Sequence, residues 1–133
     1  MNRLFYPALF HKAEEGGYWI SFPNFPECLT QGETMYEAYN MAVDALGLCL
    51  TDMEREHIAF PEPSDVSSIS IEDEATIVII EFDMLAYKKR TNSKAVKKTL
   101  TIPEWLNEEA TASGINFSQV LQEALMVKLG KAN

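Results

Sequence analysis

The sequence predicts an α+β protein in two parts. A β-β-β-α-β domain spans residues 1–87, and a small strand-helix-helix module spans 96–133. Three observations carry this prediction. Short β-prone runs broken by Gly-Gly and Pro fill the first thirty residues. A long apolar stripe with 3–4 spacing follows from Met35 to Met53. The charge then changes sign: residues 1–87 hold three basic and sixteen acidic side chains, and 88–133 hold eight basic and four acidic.

Residues 3–12 mix Leu4, Phe5, Tyr6, Ala8, Leu9 and Phe10 with polar ends and read as a first strand. Glu14-Glu15-Gly16-Gly17 is a turn, and Gly-Gly between β-prone runs favours a hairpin. Tyr18-Trp19-Ile20-Ser21-Phe22 is the returning strand, with Tyr18, Trp19 and Phe22 expected in the core. Pro23-Asn24-Phe25-Pro26 reads as an ordered loop, because prolines lack the donor that a sheet interior requires. Phe25, between two prolines, is expected to be exposed. Cys28 to Gly32 is a short third strand.

Thr34 and Glu37 have the spacing of a capping box, which satisfies two N–H groups at a helix start. Met35, Tyr39, Ala42, Leu46, Cys49 and Met53 then form one buried stripe, widened by Ala38, Ala45 and Leu50. This is a helix of about five turns. Pro61-Glu62-Pro63-Ser64 ends the unit, and Ile69-Ser70-Ile71 leaves room for one further short strand. Ile77-Val78-Ile79-Ile80 is β-branched throughout and predicts a central strand covered on both faces. Lys88, Lys89, Arg90 and Lys94 predict a basic, mobile linker over 88–95.

Lys97 to Pro103 alternates with period two, with Leu100 and Ile102 on one face and Lys97, Thr99 and Thr101 on the other. Pro103 is suited to start a helix. Glu104, Glu108 and Glu109 sit near its N-terminus, where the dipole favours negative charge. Gly114 reads as its terminator. Asn116 and Gln119 form an amide version of the capping box for a second helix. The lone strand has no partner, and so small a unit cannot bury Trp105, Leu106, Leu121, Leu125 and Leu129 by itself. The module is therefore expected to dimerise through Leu100, Ile102, Trp105, Leu121, Leu125 and Leu129. The paired strands would form a ribbon that fits the DNA major groove.

Composition bounds the function. The chain has 133 residues, a net charge of −9 and 47% hydrophobic residues. It is too apolar for a disordered polyanion and large enough to fold without disulfides. Cys28 and Cys49 form no metal-ligand pattern with His11 or His57, and they read as thiols of a reducing cytosol. No metal or cofactor is expected. No apolar run approaches the ~20 residues of a membrane span, so a cytoplasmic protein without membrane partners is expected. The average charge argues against nucleic acid. The split does not: an acidic domain suits a basic partner, and a basic module suits DNA.

The segment Lys97–Leu129 resembles the ribbon-helix-helix family of DNA-binding proteins. The resemblance implies base reading by Lys97, Thr99 and Thr101, and phosphate contact by Asn116, Phe117 and Ser118. Lys98 stands at an inward position that is usually apolar in that family, from which it can reach out toward phosphate.

Residues ~5–65 resemble HicB-type antitoxins. The resemblance is carried by Gly16 to Pro23, Pro26, Cys28, Thr30, Gln31-Gly32, Thr34, Glu37-Ala38 and Pro61-Glu62-Pro63-Ser64. It implies a fold similar to a truncated ribonuclease H-like domain that is not an enzyme. It implies neutralisation of a small basic HicA-like ribonuclease toxin, and repression of the chain's own operon. The family's Pro-Asp-x-Pro-Gly loop reads Pro23-Asn24-Phe25-Pro26-Glu27 here, and this loop is the expected toxin contact. Two alternatives remain: a ribbon-helix-helix regulator with a ligand-sensing domain, and a metal-dependent nuclease using Glu81 and Asp83, with Asp44, Asp52 or Asp65 as candidates to join them.

Overall fold

The computed structural model describes residues 3–71 and 74–131. The chain divides into two compact units, Met1–Lys94 and Ala95–Asn133.

In the first unit, β1 (Arg3–Lys12), β2 (Tyr18–Phe22) and β3 (Phe25–Gly32) precede a 21-residue helix, α1 (Met35–Arg55). A 3-10 turn at Val66–Ser68, β4 (Thr76–Asp83) and α2 (Met84–Thr91) follow. The sheet has the order β3-β2-β1-β4 and is antiparallel throughout. Gly17 turns the chain from β1 to β2 at φ 75°, and a Cβ there would sit 2.7 Å from the Gly32 carbonyl oxygen. Only glycine meets both demands. Pro7 is tolerated in β1 because pairing with β2 starts two residues later, at Leu9 with Ser21.

One face of the sheet carries the core. Tyr6, Ala8, Phe10, Ile20, Phe22, Ile80 and Phe82 pack with Ala38, Ala42, Leu46 and Leu50 of α1. The helix residues repeat every four positions, a single row pressed onto the sheet. Small Ala38 and Ala42 let the helix approach closely, and Leu46 and Leu50 fill the space beyond. The stripe is thus rotated from the expected one: Met35 is exposed, and Tyr39, Cys49 and Met53 flank the core. The capping box forms, with Thr34 Oγ1 accepting from the Glu37 N–H at 3.1 Å. Glu37 accepts in turn from the Glu33 N–H at 3.2 Å.

Five expectations for this unit change. β4 is an edge strand, not a central one, and Ile79 is 44% exposed while Ile80 is fully buried. An apolar run of four can be a half-covered strand, because what covers its second face lies elsewhere in the chain. Trp19 is also exposed, and Phe25 is buried. Among the described residues, no strand forms at Ile69–Ile71.

The expected linker is the fifth change. Its first half belongs to α2, capped by Asp83, whose carboxylate accepts from the Ala86 N–H at 3.0 Å. Tyr87 packs on Phe82 with ring centroids 5.4 Å apart. Lys88 pairs with Glu54, and Arg90 pairs with Asp44. Lys88, Lys89 and Arg90 occupy the last turn of α2, where the helix dipole favours cations. Three of the charges expected to serve the second module therefore belong to the first unit.

In the second unit, α3 (Glu104–Ala112) and α4 (Phe117–Lys128) follow a segment, 95–103, without regular structure. The strand expected at 97–103 is not formed in the single chain, as a strand without a partner has no ladder to join. Gly114 ends α3 at φ 70°, with the Ile115 N–H bonded to the Ala110 carbonyl at 3.1 Å. Asn116 caps α4, accepting from the Gln119 N–H at 3.1 Å.

Candidate partner-binding surfaces

The acidic unit offers two surfaces. One is the Pro23–Glu27 segment. Pro23 and Asn24 form the turn between β2 and β3. Asn24 ties this turn to the chain after α1: its Nδ2 donates to the Glu62 carbonyl at 2.9 Å, and its Oδ1 accepts from the Ser64 N–H at 3.0 Å. The Tyr6 hydroxyl donates to the Pro61 carbonyl at 2.7 Å, fastening the same stretch again. Phe25 points into the core, edge-on to Tyr6 at 4.8 Å. The expected exposed aromatic is therefore a core residue, since β3 begins at Phe25 and pairs it with Phe22 across a tight turn. Of the five residues, Pro26 and Glu27 are left exposed.

The other surface is the sheet face turned away from α1. Alternation places Phe5, Pro7, Leu9 and His11 of β1 on it, with Trp19 of β2, Leu29 of β3, and Ile77 and Ile79 of β4; of these Pro7, opposite Ile79, is fully buried. His11 and Trp19 are cross-strand partners, and their rings stack in parallel with centroids 3.6 Å apart. His11 Nε2 also lies 3.0 Å from Ser21 Oγ. Sequence reasoning missed this face because Trp19 was assigned to the core. The available signal was its parity, since Trp19 lies out of phase with Ile20 and Phe22.

The carboxylates of the nuclease alternative serve local structure. Glu81 pairs with Arg3, Asp83 caps α2, Asp44 pairs with Arg90, and Asp52 pairs with Arg55. Asp65 accepts from the Ser67 N–H and hydroxyl, which hold its carboxyl below the usual range. Among the described residues, no three His, Cys, Asp or Glu side chains converge as a metal site would require. A depression of about 500 Å³ between the end of α1 and α2 is lined by charges already paired, Lys88 with Glu54 and Arg55 with Asp52. A small-molecule site would instead be largely apolar with few polar groups. Burial, and then a hydrogen bond with Cys49, push the Cys28 thiol far up. Cys28 is thus a protonated core group, not a nucleophile. No helix among the described residues is long and apolar enough to cross a membrane.

The second unit has a different surface. No described residue from 95 to 131 is buried. Leu100, Ile102, Trp105, Phe117, Val120, Leu125 and Leu129 are all exposed, and Leu121 is half-buried. Lys97, Lys98, Thr99, Thr101, Asn116 and Ser118 are exposed as well. The unit's charge also differs from the expected +4. With the boundary after Lys94, the first unit holds seven basic and sixteen acidic residues, a net −9, and the second holds four of each.

A family model described as the HicB-like antitoxin of bacterial toxin-antitoxin systems matches residues 6–124, across both units. The chain belongs to this HicB-like antitoxin family. It is 43% identical over 63 residues to the antitoxin HicB of Escherichia coli K12, covering 47% of this chain and 46% of that one. It is 58% identical over 41 residues to antitoxin HicB 1 of Photorhabdus laumondii, covering 31% and 26% respectively. The chain thus matches about a quarter to a half of these curated relatives. A chain of a toxin-antitoxin complex from Streptococcus pneumoniae is 31% identical, with a TM-score of 0.61, covering 95% of this chain and 99% of that chain. The HicB-like relatives are antitoxins, not enzymes.

Proposed function

We propose that this chain is the antitoxin of a type II toxin-antitoxin pair, with one partner for each unit. The first unit binds and neutralises a small basic HicA-like ribonuclease. The second pairs with its copy into a ribbon-helix-helix dimer that binds operator DNA and represses the operon. The carrying observation is the contrast in burial. The first unit has a core of its own, and the second has no buried side chain among its described residues. A unit of this kind gains its core by association.

Pairing the Lys97–Ile102 segments of two chains would turn Leu100 and Ile102 toward the four helices and present Lys97, Thr99 and Thr101 outward. Lys98 would stand beside them, and the α4 N-terminus at Asn116, Phe117 and Ser118 would offer N–H groups to phosphate. An acidic first unit suits a protein that must itself be basic to hold RNA. Each dimer would carry two toxins, one on each first unit. The protein is expected to act in the cytoplasm, with no cofactor.

The test is to express the neighbouring reading frame with and without this chain. Growth arrest and RNA cleavage without it, and rescue with it, are expected. An absence of rescue and of a co-purifying partner would refute the antitoxin reading. For the DNA arm, Lys97→Ala, Thr99→Ala and Thr101→Ala together are expected to weaken operator binding about 100-fold or more, because each base contact carries ~1–3 kcal/mol. Unchanged operator binding by an intact dimer would remove the ribbon as the reading element.

A further inference from the structure

The open face of the first unit's sheet has the anatomy of an interface. Phe5 is 49% exposed, Trp19 44%, Leu29 63% and Ile79 44%, on four adjacent strands. The register joins them into one surface: Leu29 lies across from Ser21, Ser21 from Leu9, and Leu9 from Ile77. Isolated exposed apolar residues need no explanation, but a contiguous set on one sheet face marks a binding site. Trp19 is held in place by the parallel His11 ring, so presenting it costs little conformational entropy on binding.

The charges around this face say what would cover it. Glu27 precedes Leu29 by two residues on β3, and Glu14 and Glu15 stand at the β1–β2 turn, the end nearest Trp19. None of these three pairs with a basic side chain among the described residues. The outer face of α1 differs. Tyr36 and Leu48 are exposed there, but Asp44 and Asp52 flanking Leu48, and Glu54 beyond, are already neutralised by Arg90, Arg55 and Lys88, while Glu37 beside Tyr36 is engaged by the Glu33 N–H at the helix start. Unpaired carboxylates bordering an apolar centre favour a basic occupant. They oppose a second copy of this unit, whose own carboxylates would meet them.

We propose that this sheet face, centred on Trp19 over His11 and bounded by Leu29 and Ile79, is the seat of the basic toxin. The proposal rests on the antitoxin reading above and moves the contact from the Pro23–Glu27 turn to the sheet. Trp19 is the anchor, the aliphatic residues exclude water around it, and Glu14, Glu15 and Glu27 steer the partner in. The turn's role is structural, since Asn24 is occupied by Glu62 and Ser64 and Phe25 by the core.

The test uses the full-length chain and the protein of the neighbouring reading frame, its nuclease activity abolished by mutation. Affinity is measured by calorimetry at two salt concentrations. Trp19→Ala is expected to weaken binding about 100-fold, the range of an interface anchor. Leu29→Lys and Ile79→Lys are each expected to weaken it at least about tenfold. Leu29 is the most exposed of the set and outside the core, so its variant keeps the test valid even if Trp19→Ala perturbs folding. Leu48→Lys, on the α1 face, is expected to bind normally.

Unchanged affinity in both Leu29→Lys and Ile79→Lys would overturn the assignment, as would an equal loss in Leu48→Lys. Dissociation of the free chain's oligomer by Leu29→Lys would assign the face to a second copy instead. If the unaltered chain fails to bind the neighbouring protein at all, the antitoxin reading itself falls. The two failures are therefore distinguishable.

Discussion

The two units meet the same physical problem in opposite ways. The first buries Tyr6, Phe10, Phe22, Phe82, Leu46 and Leu50 to 2% exposure or less, so its apolar side chains stabilise it from within. Each such side chain contributes roughly 1.5–3 kcal/mol when fully buried. The second unit has well-formed helix ends, a Gly114 terminator and an Asn116 cap, but no buried side chain among its described residues. Good local structure does not make a core. What the contrast teaches is a division of labour: one unit holds a core of its own, and the other, on the proposed reading, gains one only by pairing.

That contrast can be broken most severely from the first unit. Phe82→Ala should cost about 3–5 kcal/mol of its stability, because Phe82 of β4 is fully buried in the core it shares with α1 and packs on Tyr87 of α2. Chemical denaturation followed at Trp19 would read this, and the chain should remain dimeric while folded. A dimer lost together with the first unit would mean that the units are not independent. The complementary change is Leu125→Asp in α4. It should weaken dimerisation by about 2–4 kcal/mol and yield monomers in analytical ultracentrifugation. The first unit's melting should not move. A dimer that survived this change would place the association surface elsewhere.

A smaller effect sharpens the boundary between the units. A Cβ on Gly47 would stand 2.3 Å from the Tyr87 ring. Gly47→Ala should therefore displace α2 and destabilise the first unit by about 1–3 kcal/mol. Amide exchange should speed up across Met84–Thr91 without altering operator affinity. If α2 instead belonged functionally to the DNA-binding arm, operator affinity would fall. The smallest effects compare caps. Thr34→Ala and Asn116→Ala should each cost about 1 kcal/mol. The first should appear as a concentration-independent loss in thermal unfolding. The second should appear as a loss that grows on dilution if, as proposed, α4 gains its core by pairing with a second copy.

Much of the fold is legible locally. Thr34 with Glu37 announces α1, and Asn116 with Gln119 announces α4. Gly16-Gly17 announces the first hairpin, and Gly114 ends α3. Each signal acts over a few residues, by a side chain bonding a nearby N–H or by a backbone angle only glycine adopts easily. The site is less legible. Trp19 and Phe25 exchange their expected places, because composition does not say which face of a strand will be covered. α2 was readable in principle from Asp83 ahead of Met84-Leu85-Ala86-Tyr87, but the run of cations behind it drew attention to charge.

The sequence by itself determined the long helix and its cap, the two C-terminal helices joined at Gly114, and the family resemblance. Tertiary structure alone decided that Ile77–Ile80 forms an edge, that the sheet keeps one face open around Trp19, and that Lys88, Lys89 and Arg90 belong to the acidic unit. The physical reason is distance along the chain. Arg3 meets Glu81, the Tyr39 hydroxyl accepts from the Glu81 N–H, and Arg90 meets Asp44. Such pairings depend on how strands and helices stack, so no local pattern announces them. The net charge of −9 changes meaning in the same way: it belongs wholly to the first unit, and the second is neutral, with Lys97 and Lys98 concentrated at its N-terminal end.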